Sequence, residues 1–357
     1  SYNQAGGGGH GGKAGKGNNN KAGGNPYGSS LIPTELGSGG GVCNHVDCNT
    51  TGSAGGGAIK LNIDNTLVIN GTITADGQEW ATSSTYAGGG GSGGSIWINT
   101  SVFEGTGNIS AIGGLAGNSS GVSGSAGGGA GGRVVVYYNT TSDINIINSN
   151  VSGGSAQSAA QDGEKGTLAF IDKDDNNIEI YQGFEFQSDA SYTNISIQES
   201  LIRINGSIEL NATNIIKNTT WLNFTCYNTG YNFTLNVDND LNLSNGNIKN
   251  LGLFGTDCNN VIIYSGADLF ADDLTIEAGG VVTINRTTST SVTYTALSIT
   301  SADNITLDVT SNYLTLNSST LSLSTDKNWI YIENASTLTL QSTTLSGNVN
   351  WSLINLS

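Results

Sequence analysis

The chain has 357 residues, with 12 Lys and Arg against 28 Asp and Glu, a formal charge of −16 and only 11% charged residues. Such a sparse, acidic surface excludes nucleic acid, which is held by basic patches that neutralise phosphate. No apolar run reaches the roughly 18 residues that a membrane-spanning helix needs. Glycine supplies 53 residues, 43 of them within 1–166, and methionine is missing even from position 1; a removed N-terminal secretory segment is the expectation.

Composition divides the chain into a glycine-rich part, 1–166, and a part rich in Asn, Ser, Thr, Leu and Ile, 167–357. In the first part three glycine clusters run straight into strand-like bursts: GGGAIKL (55–61), GGSGGSIWI (90–98) and GGAGGRVVVYY (128–138). Ile59, Ile96 and Val134 are 37 and 38 residues apart, and Leu168 of GTLAFI follows 34 further on. Repeats of this length point to a solenoid. Between the first two clusters, TLVINGTI alternates as a half-buried strand does.

Further along come IEIY, FTLNVDNDLNL, NVIIY, ITLDV and WIYIE, all short period-two runs. LTLNSSTLS (314–322) returns as LTLQSTTLS (338–346), a shift of 24, and Trp329 and Trp351 stand 22 apart. A coil of that size with three short strands predicts an all-β fold, a right-handed parallel β-helix whose N-terminal coils carry inserted glycine-rich loops and which continues through both parts. An antiparallel β-sandwich is the alternative, since Asn70-Gly71, Asp76-Gly77 and Asn205-Gly206 would suit hairpins. The 24-residue return favours the solenoid.

Four cysteines suggest two disulfides, Cys43 with Cys48 and Cys226 with Cys258, in an oxidising compartment. Cys43, His45, Asp47 and Cys48 could instead hold a metal, although the spacing suits one loosely. Twenty N-x-S/T sequons occur: Asn49, Asn70, Asn99, Asn108, Asn118, Asn139, Asn150, Asn194, Asn205, Asn211, Asn218, Asn223, Asn232, Asn242, Asn285, Asn304, Asn317, Asn334, Asn350 and Asn355. Chance would give roughly half as many, so N-linked glycans are expected at several of them. Asparagine also stacks in ladders in solenoids, and Asn70 and Asn205, in VINGTI and RINGSI, could each cap a turn. Asp172, Asp174, Asn176 and Glu179 place oxygens at alternate positions, as calcium loops do; the plainer reading is a polar turn between LAFI and IEIY. No other cofactor is indicated.

The motifs GGGGHGG, NPYGSSLIPTELGSGGG, GGGAIKL, LVINGTITADG, GGSGGSIWI, GNISAIGG and GGGAGGRVVVYY, in this order, resemble the glycine-rich segment of very large secreted proteins of archaea and bacteria. Those are read as parallel β-helix surface proteins or adhesins. The resemblance covers about residues 6–180 and implies an extracellular or cell-surface location without an assigned activity. Polysaccharide lyases and hydrolases share the solenoid. The hydrolase pattern is present only in pieces: Gly9-His10-Gly11 lies far from the pair Asp272 and Asp273, and Arg-Ile-Lys is missing. A lyase would need an arginine base beside calcium-binding acids, and Arg133, Arg203 and Arg286 have no acid cluster near them in sequence. Trp80, Tyr86, Trp97, Tyr137 and Tyr138 could stack on sugar rings.

These readings predict a non-enzymatic, N-glycosylated structural protein, a subunit of a filament, sheath or appendage that packs on copies of itself. A glycan-binding adhesin is the alternative, and a polysaccharide lyase or hydrolase a more distant one. The last coil, ending in WSLINLS, is expected to be covered by another copy's glycine-rich N-terminus or by an added strand.

Overall fold

A computed structural model describes residues 5–18, 21–42, 52–80, 87–117, 125–142, 149–156, 160–199, 201–250, 256–287, 291–325 and 327–352. They contain many strands and no α-helix, and the chain forms two compact units, Ser1–Phe184 and Glu185–Ser357. The boundary falls later than the change of composition at residue 166. Strand Thr167–Asp172 and its antiparallel partner Asn177–Ile180 belong to the sheet of the first unit.

In the first unit, strands Ala58–Val68, Ser95–Glu104, Arg133–Tyr138 and Thr167–Asp172 stack in parallel in that order. Their register places Ile59 against Ile96, Ile96 against Val134 and Val134 against Leu168, the partners that the sequence repeat names. Period-two alternation turns Ile96, Ile98, Val134, Val136, Leu168 and Phe170 inward, where they meet Phe103, Ile109 and Val151. A second small parallel sheet, Thr72–Thr74 with Asn108–Ser110, faces them across this core.

The described segments of the glycine-rich loops that join these strands are hydrogen-bonded to one another. In segment 127–132, Gly127 and Ala130 donate to the carbonyls of Ala5 and Gly8 at 3.0 and 2.9 Å. Gly128 and Gly131 donate to Gln161 and Glu164 at 3.1 and 2.8 Å, and Gly129 and Gly132 to Gly114 and Ala111 at 3.0 and 2.7 Å. Every third residue therefore meets the same neighbour, and no bond joins two residues within the segment. That is the geometry of a polyproline-II helix, with three residues per turn and no internal hydrogen bonds. The same segment accepts from three more neighbours, through Gly90 and Gly93, through Gly154 and through Gly15. Segment 88–94 repeats the pattern: Gly89 and Ser92 donate to Gly41 and Ser38, Gly90 and Gly93 to Gly127 and Ala130, and Gly91 and Gly94 to Gln78 and Ala75. The result is a lattice of left-handed polyglycine helices whose interior is main chain.

Glycine is required here by close approach, since none of the positive-φ glycines lies in 88–94 or 127–132. A Cβ on Gly129 would stand 2.0 Å from the Gly91 oxygen, and one on Gly128 1.8 Å from the Gly154 oxygen. Both obstacles are backbone, which has no rotamer to change. The N-terminal run, which the repeat pattern offers as a cover for another copy's last coil, is engaged within its own unit through Ala5, Gly8, Gly11 and Gly15.

The second unit has three-sided coils. Its longest sheet contains, in order, Ala190–Ile197, Ile208–Lys217, Phe233–Val237, Val261–Ser265, Val282–Arg286, Ile305–Asn317, Trp329–Gln341 and Asn348–Ser352. A second contains Leu201–Ile204, Leu222–Cys226, Gly246–Ile248, Thr275–Ala278, Ser298–Ser301, Thr320–Leu323 and Thr344–Ser346. Shorter pairs, such as Leu241–Asn242 with Leu269–Phe270, form the third side. The coil-to-coil pairings within these sheets are parallel, which excludes the sandwich. Leu314 pairs with Leu338 and Leu321 with Leu345, matching the 24-residue return. Trp351 pairs with Ile332, so the Trp329–Trp351 spacing is not a coil step.

Inward side chains form columns: Phe233, Val261, Val282, Ile305 and Ile330 beside Leu235, Ile263, Ile284, Leu307 and Ile332, all at 0% exposure. Each such side chain stabilises by about 1.5–3 kcal/mol on burial. One corner recurs coil after coil. Asn245, Asp273, Ala296, Ser318 and Ser342 have φ of 53, 53, 54, 50 and 47°. They stand two residues before the paired positions Asn247, Thr275, Ser298, Thr320 and Thr344. One left-handed residue turns the chain there by the same angle each time.

Candidate functional site

Among the described residues, His10 of Gly9-His10-Gly11 lies in a cluster of side chains that could be read as catalytic. The ring is fully buried, with Nδ1 at 3.0 Å from the Gly93 carbonyl and Nε2 at 3.4 Å from Ser95 Oγ. A carbonyl only accepts, so Nδ1 carries the proton and Nε2 is the basic nitrogen. Burial, and after it the positive charge of Arg133, hold the imidazole pKa at about 4, so it is neutral near pH 7.

This resembles a serine–histidine pair, but the proton runs the wrong way. Ser95 Oγ donates at 2.6 Å to the Glu35 carbonyl, and His10 and Ser95 are both at 0% exposure. The same loop is fastened at further points. Arg133 Nε donates to the Tyr27 carbonyl at 2.9 Å, Tyr27 OH donates to Leu36 O, and Tyr137 OH donates to Leu31 O at 2.9 Å. Tyr27 also packs on His10 with ring centroids 4.8 Å apart. The cluster is a clasp that holds loop 27–36 on strands Ser95–Glu104 and Arg133–Tyr138. Burial pushes the Tyr137 phenol up to about 12, which keeps it a donor.

The carboxylates and arginines of the enzyme readings have structural places. Asp273 is the left-handed corner residue, and Asp272 Oδ1 accepts from the Thr295 amide at 2.8 Å. Arg133, Arg203 and Arg286 are among the largest fully buried side chains, and Arg286 Nη2 lies 2.5 Å from Asp268 Oδ1. The calcium candidates do not converge. Asp172 Oδ1 caps its own turn, accepting from the amides of Asp174 and Asp175 at 3.0 and 3.2 Å. Asp174 accepts from Asn139, Asn176 takes φ 53°, and Glu179 accepts from Tyr181 OH at 2.9 Å on the returning strand. Among the described residues no three His, Cys, Asp or Glu side chains form a metal-binding group. The loop is the polar turn of a β-hairpin.

The aromatic candidates separate in the same way. Trp80 fills the end of the glycine lattice: a Cβ on Gly88 or on Gly117 would meet its ring at 2.2 or 2.1 Å. Tyr138 lies in the core. Trp97 is half-buried, with Lys60 Nζ 4.9 Å above its ring and Tyr137 beside it. Tyr86 lies outside the described residues.

Cys226 and Cys258 are joined, with Cα atoms 5.2 Å apart. Cys43, His45, Asp47 and Cys48 lie outside the described residues. Of the twenty sequons, so do Asn49, Asn118 and Asn355; none of the other seventeen asparagines is buried. Several join ladders that pass from coil to coil, in strands and at bends. Asn214 donates to Asn194 at 2.8 Å and Asn239 to Asn214 at 3.0 Å, Asn236 donates to Asn211 at 2.8 Å, and Asn247 to Asn223 at 2.7 Å. What the sequence hid was the His10 clasp, whose partners are 83 and 85 residues away. A histidine flanked by glycines inside a run of small residues was the one available signal. The chain matches no known family, no curated protein and no solved structure.

Proposed function

We propose that the chain is a stiff, sugar-coated segment of an extracellular structural protein, a subunit of a filament, sheath or surface appendage that packs on copies of itself. The observation that carries this reading is the placing of the sequons. They occur at about twice the chance number, and no described one has its asparagine buried, although half-buried and buried positions alternate along the strands. A disulfide beside them fits an oxidising exterior.

Self-association has a physical route. Ala58–Val68 is first in the strand order of the first unit's sheet, and such a parallel edge is a template for an added strand. The test is to secrete the full chain from an N-glycosylating host and follow it by electron microscopy at rising concentration. Glycosylated filaments or sheets are expected. A chain that carries no sugar, or that stays a monodisperse monomer at high concentration, would overturn the reading.

A further inference from the structure

Asn70, Asn205 and Asn245 are each followed by glycine. That pairing has a chemistry of its own, because no Cβ screens the glycine nitrogen. Once deprotonated, this nitrogen can attack Cγ of the asparagine before it. An N–Cγ bond forms, the Cγ–Nδ2 bond breaks, ammonia leaves, and a succinimide ring remains. Water then opens the ring to an aspartyl or an isoaspartyl residue, so the balance needs water alone. The carboxamide must first swing until Cγ lies within about 3–3.5 Å of the nitrogen. The fold therefore decides whether the reaction runs.

The three sites differ in what holds them. Asn245 takes the left-handed φ of 53° at the repeated corner, its amide donates to Asp272 O at 2.8 Å, and Gly246 is buried in a strand. Asn205 is half-buried. Its amide donates to Phe186 O at 2.9 Å and its Nδ2 to Glu185 Oε1 at 2.7 Å, both on the strand next to Leu201–Ile204 in the sheet. Asn70 and Gly71 instead form an exposed bend between strands Ala58–Val68 and Thr72–Thr74, and Ala58–Val68 is first in its strand order. The next coil holds them through acceptors: Asn70 Oδ1 accepts from the Thr106 amide at 3.4 Å, and Gly71 O from the Asn108 amide at 2.9 Å. The first of these is at the long limit of a hydrogen bond. Among the described residues nothing accepts from the amides of Asn70 and Gly71, and a Cβ on Gly71 would meet nothing within 4 Å. The near-identical motifs VINGTI and RINGSI thus differ by their place in the stack.

We infer that Asn70-Gly71 is a self-modification site, whose side chain deamidates through the succinimide in the folded protein while Asn205 and Asn245 are preserved. Either product adds a negative charge at the bend. The isoaspartyl form also inserts a carbon into the main chain beside the edge strand on which the proposed assembly has another copy add. A glycan on Nδ2 would change the leaving group, so at this sequon the two modifications exclude each other. The inference concerns the unglycosylated side chain and stands apart from the glycoprotein reading.

The test is ageing of the full, folded, disulfide-intact chain, made without N-glycosylation, in mildly alkaline buffer. Each site is read by peptide mass spectrometry and by enzymatic methylation of isoaspartyl groups. Asn70 is expected to react about tenfold or more faster than Asn205, which must first break a hydrogen bond to a carboxylate, and faster than Asn245. In denaturant the three rates should converge. Gly71→Ala, which fits the open space, should remove the lead of Asn70 and leave the fold unchanged. Equal rates in the folded chain, a lead that persists in denaturant, or a Gly71→Ala chain that reacts as fast as the parent would overturn the inference.

Discussion

Segment 127–132 and strand Val282–Arg286 lie inside their respective units, and they are held there by opposite means. Val282 and Ile284 are in place because their side chains fill a column between Val261 and Ile305 and between Ile263 and Leu307. Gly129 and Gly131 are in place because they have no side chain, and main-chain groups of neighbouring segments occupy the space one would need. The strand spends its inward surface on apolar contact. The glycine segment turns every face to hydrogen bonding, each direction reached once in three residues. A buried backbone must pair all its donors and acceptors, and the lattice achieves this without a sheet.

The sharpest way to break the comparison is to add a methyl group to one unit and remove methyl groups from the other. Gly129→Ala should destabilise the first unit by about 3 kcal/mol, because the obstruction is backbone that cannot repack. Ile284→Ala should cost the second unit about 3 kcal/mol through the cavity it leaves. Gly57→Ala is the control, since nothing lies within 4 Å of the added carbon. Hydrogen exchange read unit by unit should assign each loss to its own half, and a well-tolerated Gly129→Ala would refute the lattice as the source of order.

Next in size is reduction of Cys226–Cys258, which closes a 32-residue separation and should cost the second unit roughly 3–4 kcal/mol on the chain-entropy view. Protection in segment 127–132 should not change.

Acid acts on the other half. The His10 pKa is held at about 4, below its ordinary 6.5, so between those values the unfolded chain binds a proton that the folded one refuses. Stability is therefore complete above pH 6.5 and falls as the pH drops towards 4. The total is roughly 3 kcal/mol, from 1.36 kcal/mol per pH unit. Arg133 and Glu35 are the charges that face the ring. Unfolding of the first unit followed at pH 7 and pH 4 in the parent and in His10→Gln should show a slope that the variant lacks. The smallest effect is at the repeated corner, where Ala296→Gly should raise the melting temperature of the second unit by relieving about 1 kcal/mol of left-handed strain.

Legibility followed the same division. Wherever side chains do the packing, period and register could be read directly: Ile59, Ile96, Val134 and Leu168 are true partners, and LTLNSSTLS lies on LTLQSTTLS in register. The disulfide followed from its coil-sized spacing. Where the main chain does the packing there was little to read, because a three-residue period carried by hydrogen-bond partners leaves no mark on a run of glycines. The acids were spaced suggestively in sequence, but their partners were not legible there: Asp272 Oδ1 accepts from the Thr295 amide of the next coil, Asp172 Oδ1 from the amides of its own turn, and Asp174 and Glu179 from Asn139 and Tyr181.

The polyglycine lattice also bears on temperature. Unfolding a core of side chains exposes apolar surface and raises the heat capacity, whereas exposing peptide groups lowers it. A core made of peptide groups should therefore unfold with a small heat-capacity change and a flat stability curve, so the glycine-rich half resists the cold that weakens ordinary hydrophobic cores.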